Sequence, residues 1–317
     1  MAPIVVDLKK IPDKRDAVHR AIEALAAGRI VAMPTETVYG VAACALHEDA
    51  VRRLFEIKNR PQTLPLIFLV KSADDALDFV PDMEPLARRM ARKCWPGPLV
   101  LLLRGPHPDS VISRLPETVQ EICSRQGWIG LRVPADAFSM DVLRLNAGPV
   151  LMCNSGTNEL EPAATGQELI DSHSNSIDLI IDGGQCRFAR PSTVVKIEGD
   201  NIEIVRRGVI DEQALKRMSE VNILIVCTGN TCRSPMAEGL LKRRLADRLK
   251  CDPASLGDCG YNVESAGIAA MPGGAVSGEA VEAASGVRDG YFRAHQPARN
   301  RTSGSASGPD SDHDRHS

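Results

Sequence analysis

The chain has 317 residues, with 38 Lys and Arg against 41 Asp and Glu for a formal charge of −3, and is 43% hydrophobic. That length suits two domains, and the near-balanced charge gives no general affinity for nucleic acid. No apolar run approaches the ~20 residues of a membrane span, and the first residues lack a signal-type apolar run. The nine cysteines are scattered, mostly among apolar neighbours, which fits a reducing cytoplasm rather than a disulfide framework. No Cys/His cluster has zinc spacing, so no metal ligand set is assigned.

In chain order, residues 16–27 form a predicted amphipathic helix with Val18, Ile22 and Leu25 on its apolar face. Residues 29–33 read as a strand and run into Pro34-Thr-Glu-Thr-Val-Tyr-Gly40. A helix is expected over 49–58 and a buried strand over 64–70. A helix over 86–94 leads to Trp95-Pro-Gly-Pro98 and a strand over 99–103. Further strands are expected at 128–133, 150–153, 179–182, 193–197 and 202–205. Helices and strands mix without strict alternation, which predicts a mixed α/β fold with a twisted sheet. A short helix over 211–219 reads as the linker to a second domain.

That second domain opens with a strand over 222–226 and a helix over 235–249, whose apolar face carries Met236, Leu240, Leu241, Leu245 and Leu249. Between them lies a Cys-x5-Arg loop, Cys227 to Arg233. A strand–loop–helix turn aims backbone N–H groups and the helix dipole at one spot, which favours an anion. A cysteine there should have a lowered thiol pKa, and Arg233 offers two parallel donors to phosphate oxygens. A thiolate nucleophile in a phosphate cradle implies phosphoryl-enzyme chemistry.

Six stretches of the first region, taken in order, resemble the YrdC-type threonylcarbamoyl-AMP synthases. They are Pro34-Thr-Glu-Thr-Val-Tyr-Gly40, Lys58-Asn-Arg-Pro61 with Pro65-Leu66, Trp95-Pro-Gly-Pro-Leu99, Leu131-Arg-Val-Pro134, Arg190-Pro-Ser-Thr-Val-Val195 and Ile204-Val-Arg-Arg-Gly208. The resemblance implies condensation of L-threonine, bicarbonate and ATP into threonylcarbamoyl-AMP and pyrophosphate. The product would feed threonylcarbamoyl modification of tRNA, with RNA and other proteins of that modification as partners and Mg²⁺ accompanying ATP. Three anionic partners need cations between them, and Lys58, Arg60, Arg132 and Arg206 are the candidates. The hydroxyls of Thr35 and Ser192 would orient threonine or phosphate. No side-chain nucleophile is required, since the amine of threonine and then its carbamate attack; catalysis is positioning and charge stabilisation.

The family's Ser-x-Asn pair on ATP is altered here to Cys153-Asn-Ser-Gly-Thr-Asn158, from which Ser155 with Asn158 is assigned and Asn154 is the rival. Ala135-Asp136 stands where the family has a basic residue. By spacing alone, Lys58 and Arg60 would be a solvated helix end, Arg132 and Arg206 surface charges, and Thr35-Glu36-Thr37 a helix cap.

The loop at 227–235 resembles the low-molecular-weight protein phosphatases, whose pattern C-x-G-N-x-C-R-S-P is met by Cys227, Gly229, Asn230, Cys232, Arg233, Ser234 and Pro235. The resemblance implies that Cys227 attacks phosphorus, Arg233 binds phosphate, Ser234 stabilises the thiolate and Asn230 holds the loop. Thr231 resembles the arginine-phosphatase branch. The family's acid, an Asp before a Pro near the C-terminus, has no counterpart there, and the resemblance fades near Ala284. Residues 299–317 are Ser, Gly, Asp, His and Arg with few others, a composition that cannot bury a core. A frame slip near 284–290 accounts for that tail, since reading 295–317 one nucleotide later can restore a helix and a strand-like Leu-Ile-Leu-Thr-Met-Thr.

The expected organisation is a synthase domain over 1–212, a linker over 213–220, a partial Rossmann-like phosphatase domain over 221–284 and a disordered or frame-slipped tail over 285–317. Three functions compete: a synthase in tRNA modification, which is favoured; a phosphatase for phosphoarginine or phosphotyrosine; and a non-catalytic RNA-binding module. Phosphatase activity of the chain is expected to be near zero, because the acid and much of that domain's core are missing.

Overall fold

The computed structural model describes residues 3–58, 65–156, 161–173, 176–269 and 276–278. It divides into two compact units, Met1–Ser219 and Glu220–Ser317. The tail over 285–317 and its expected frame slip lie outside the described residues, as do Arg60 and Asn158.

The first unit contains strands β1 (Ile4–Asp7), β2 (Val31–Met33), β3 (Gly40–Cys44), β4 (Ile67–Leu69), β5 (Leu99–Arg104), β6 (Trp128–Arg132), β7 (Val150–Asn154), β8 (Leu179–Asp182), β9 (Thr193–Glu198) and β10 (Asn201–Arg206). Its helices are α1 (Lys14–Ala26), α2 (Glu48–Lys58), α3 (Ala76–Phe79), α4 (Pro85–Cys94), α5 (Glu117–Cys123), α6 (Ala137–Leu145), α7 (Gly166–His173) and α8 (Glu212–Ser219). The strands form one mixed sheet in the order β1-β8-β2-β3-β7-β4-β6-β5-β9-β10.

Strand alternation sorts the side chains between two faces. Leu99, Leu101 and Leu103 of β5, Ile129 and Leu131 of β6, and Val195 and Ile197 of β9 join the main core with α1, α2, α4, α5 and α6. Val100, Leu102, Trp128 and Val194 point the other way and form a small cluster with Ile67. The Trp128 ring carries the Arg104 guanidinium at 4.2 Å and the Lys196 ammonium at 4.4 Å, contacts that satisfy both charge and apolar ring. Arg132 shares the face of Trp128, four residues along the same strand.

Helix α1 starts two residues earlier than its apolar pattern suggests, because the Asp13 carboxylate accepts from the Arg15 N–H and caps it. It buries Ala17, Val18, Ala21, Ala24 and Leu25. Helix α8 occupies most of the stretch read as linker; Leu215 is buried, and Ser219 O accepts from Arg89 Nε of α4 at 2.8 Å.

The second unit is described as a βαβ element: β11 (Val221–Cys227), α9 (Arg233–Leu249) and β12 (Tyr261–Gly267), with the two strands parallel. Helix α9 begins at Arg233 and buries Ser234, Pro235 and Ala246. Leu240, expected on its apolar face, is exposed, as are Leu224 and Val226 on alternate positions of β11.

Candidate functional site

The turn from β2 to β3 is built by its own hydroxyls. Thr35 Oγ1 donates to Val38 O at 2.6 Å and accepts from the N–H groups of Thr37 and Val38. Its one proton is thereby used, so the 2.8 Å contact with Thr37 Oγ1 must be a bond donated by Thr37. Thr37 in turn accepts from Arg132 Nη2 at 3.1 Å. The segment is a hydroxyl-braced turn and not a helix cap.

Arg132 sits at the end of β6 with its side chain only 8% exposed, which removes the reading as a surface charge. Its Nη2 donates to Glu36 Oε1 at 2.7 Å and its Nε donates to Gly97 O at 3.3 Å. The second Glu36 oxygen accepts from Ala135 N at 3.0 Å. Glu36 O accepts from Phe188 N, and Gly97 N donates to Val133 O. One buried ion pair thus joins four of the loops that carry the sequence motifs.

Ser155 follows the last residue of β7, beside this turn. Its N–H donates to Tyr39 O, and its Oγ accepts from Ala163 N at 2.8 Å. Asn154, the rival assignment, pairs with Gly40 across the strands. Tyr39 ties the turn to the end of β8, donating to Gly184 O at 2.8 Å and accepting from Gly183 N. Ser192 precedes β9, where Thr193 N donates to Pro98 O. Arg206 folds back on Ser192, donating to its carbonyl from Nε and Nη2 and to its hydroxyl at 3.1 Å. Thr35, Arg132, Ser155, Ser192 and Arg206 therefore hold connected loops at one end of the sheet. Lys58 is the last residue of α2.

A cleft of about 710 Å³ opens behind the 34–36 turn. Of the substrate-binding candidates, Thr35 lines it, and so do the cations Lys9, Lys14, Arg15 and Arg187 and the acids Glu36, Asp136 and Asp141. Asp136, standing where a basic residue is usual, caps α6 by accepting from Ser139 N at 3.0 Å. Burial raises its carboxyl pKa above the ordinary value, opposed by that N–H. The Cys186 thiol in the same wall is pushed up to about 11 by burial.

In the second unit, Cys227 Sγ lies 2.8 Å from Ser234 Oγ and accepts from Asn230 N at 3.1 Å. Asn230 has φ +51, the left-handed conformation that turns its N–H inward. Ser234 Oγ also lies 2.8 Å from Asn230 Oδ1, to which it donates. One hydroxyl proton faces two acceptors. With the thiol protonated, Cys227 donates to Ser234 and Ser234 to Asn230; with the thiolate formed, the Ser234 proton turns to sulfur. That bond, then the N–H groups of Asn230, Ser234 and Gly229, lower the Cys227 pKa below the ordinary thiol value. Gly229 and Asn230 shape the loop, while Thr231, Cys232 and Arg233 are exposed at its mouth. Alkylation of Cys227 is expected to follow a pH midpoint below that of a simple thiol, and Ser234→Ala to move the midpoint upward. An unchanged midpoint in that variant would remove Ser234 from the account.

The family model described as telomere recombination, Sua5/YciO/YrdC, matches residues 23–208, more than half of the chain. The chain belongs to this family. A Pyrococcus abyssi threonylcarbamoyl-AMP synthase is 30% identical over 69% of this chain and 62% of its own length, so the chain spans less than two thirds of that relative. A Methanocaldococcus jannaschii relative, provisionally named for the same activity, is 32% identical over 60% of this chain and 84% of its own. The fold matches P. abyssi Sua5 complexed with L-threonine at a TM-score of 0.59 and 19% identity, covering 84% of this chain and 92% of that one. It matches E. coli YciO at 0.54 and 21% identity, covering 68% and 100%. A second family model, low molecular weight phosphotyrosine protein phosphatase, matches residues 222–302 and so runs past Ala284.

In this Sua5/YciO/YrdC chain, spacing alone does not mark Glu36 or Gly97 as partners of Arg132. Both lie inside motifs that were quoted, but their partner Arg132 is far away in the chain: Glu36 and Arg132 are 96 positions apart. Only an unexplained acid beside the threonines hinted at a buried cation.

Proposed function

We propose that this chain is a threonylcarbamoyl-AMP synthase acting on L-threonine, bicarbonate and ATP. The observation that carries this reading is the buried Arg132–Glu36 junction, which draws the family's separated motifs into one constellation at the sheet end. In this reaction the threonine amine attacks the carbon of bicarbonate, with loss of water, to give a carbamate. A carbamate oxygen then attacks the α-phosphorus of ATP and pyrophosphate leaves. The protein supplies orientation and fixed positive charge, and no covalent intermediate on a side chain is needed. Arg132 and Arg206 are cations of the constellation among the described residues, and Lys58 and Arg60 are assigned to substrate binding on the strength of their motif.

Mg²⁺ would accompany the ATP phosphates, as is general for phosphate substrates. The product serves tRNA threonylcarbamoylation, so RNA and the proteins of that modification are the downstream partners. The proposed compartment is the cytoplasm; among the described residues no helix is long and apolar enough to cross a membrane. The test is pyrophosphate release from ATP with threonine and bicarbonate each present or omitted. Release that needs both is expected, and release that ignores either one rules the reading out.

A second reading concerns the other unit. The lowered Cys227 thiol between Ser234 and the loop N–H groups favours a phosphate-binding loop with a competent nucleophile. With no assigned acid to protonate the leaving group, the expected turnover of aryl phosphates is near zero.

A further inference from the structure

Arg132 is buried at 6% exposure, yet its hydrogen bonds use only part of it. Nε meets Gly97 O, and Nη2 meets Glu36 Oε1 and Thr37 Oγ1. Nη1, with two N–H groups, has no hydrogen-bond partner among the described residues. Buried donors of a charged group are rarely left unmet, so this pair calls for an acceptor from outside the protein. The guanidinium is planar and rigid. Fixing Nε and Nη2 therefore fixes the direction in which Nη1 points.

Of the three acceptors that do the fixing, Glu36 alone is charged. Its carboxylate is held at its second oxygen by Ala135 N, and its backbone carbonyl by Phe188 N. It is a rigid abutment rather than a mobile side chain.

We propose that Glu36 is a positioning residue that aims Arg132 Nη1 end-on at a substrate oxyanion, the carboxylate of L-threonine or a phosphate of ATP. This rests on the synthase reading and deepens it. Glu36 touches no substrate; it acts through Arg132, whose side-on edge is already occupied. The interaction with substrate is thus through one terminal nitrogen, not the two-nitrogen edge that an unbound arginine would offer.

The test is a cycle of Glu36→Gln, Arg132→Gln and the double variant, each assayed for KM of threonine, KM of ATP and kcat by pyrophosphate release. Glu36→Gln is expected to raise the KM of one substrate on the order of a hundredfold, as a misaimed contact does, and to leave the other KM within about threefold. The substrate affected identifies the oxyanion as carboxylate or phosphate. In the Arg132→Gln background, Glu36→Gln is expected to add nothing further. Equal changes in both KM values, no change in either, or full additivity of the two substitutions would each overturn the proposal. Should Glu36→Gln fail to fold, Glu36→Asp, which keeps the charge but shortens the reach, gives the same split reading. Wild-type protein without threonine- and bicarbonate-dependent release would instead overturn the synthase reading itself, so the two failures are distinct.

Discussion

Replacing Arg132 with methionine is expected to lower the stability of the first unit by ~3–5 kcal/mol, because it leaves an unpaired carboxylate in the interior. Glu36 has a side chain 5% exposed, and without Arg132 it would retain one bond, from Ala135 N. Methionine fills similar space, so a cavity does not explain the loss. Both tryptophans of the chain, Trp95 and Trp128, lie in the first unit and are buried. Fluorescence in a urea titration therefore reads that unit alone. Adding Glu36→Met to Arg132→Met should recover much of the loss, since an apolar pair often matches a buried ion pair. The double variant is then stable and inactive, which separates folding from catalysis. A loss under about 1 kcal/mol in Arg132→Met would mean that water reaches the pair.

Gly208→Ala is the second large effect. A methyl there would lie 2.4 Å from Pro191 O, Ser192 C and Thr193 N, all backbone atoms. The 191–193 segment must move, and it is held by Thr193 N on Pro98 O and by the exchange of bonds between Thr193 Oγ1 and Ile210. Overpacking of this kind costs about 1–3 kcal/mol or more. The displacement carries Ser192 and its partner Arg206, so kcat/KM should fall on the order of a hundredfold. Gly199→Ala serves as the contrast. It sits in the turn between β9 and β10, where a methyl meets nothing within 4 Å and the cost is its left-handed φ of +61. It should lose about 1–2 kcal/mol of stability and keep its activity. Equal activity losses in both would show that Gly208 matters only for folding.

Much of the fold was legible because many strands are apolar runs between turn residues. Leu179–Asp182 has the bounds expected from sequence, and β5, β6, β7 and β9 differ by a residue at one end. Strand β3 went unread because Gly40-Val-Ala-Ala-Cys44 is buried on both faces and built of small residues, so it shows neither alternation nor a bulky run. Helix α7 carried a readable start in Thr165-Gly-Gln-Glu168, a reciprocal cap in which Glu168 N donates to Thr165 Oγ1 and the Ala164 and Thr165 N–H groups donate to Glu168. Helix α6 likewise begins after a capping aspartate, Asp136. The sheet order was not legible, since most neighbouring strands are distant in sequence and their pairing is decided by packing.

The site was legible as motifs and not as geometry. The cations stand out in the sequence as members of the quoted motifs, where Arg132 reads as a fork for substrate. Its side-on edge is spent on Glu36, Thr37 and Gly97. Thr35 was expected to orient substrate, yet its hydroxyl is committed to the turn. Such internal commitments depend on contacts dozens of residues apart, which periodicity and spacing do not encode. The contacts of the Cys227 thiol follow more readily from the sequence, because Asn230 and Ser234 lie within eight residues of it, whereas the bond from Asn230 Nδ2 to Ser265 O spans 35 residues.

The most direct test follows carbon. The purified full chain would be given isotope-labelled bicarbonate, L-threonine and ATP, and the nucleotide products resolved by mass spectrometry. The account predicts a labelled adenylate that contains threonine, formed only when all three substrates are present. AMP or ADP without label, from protein shown by fluorescence to be folded, would contradict it.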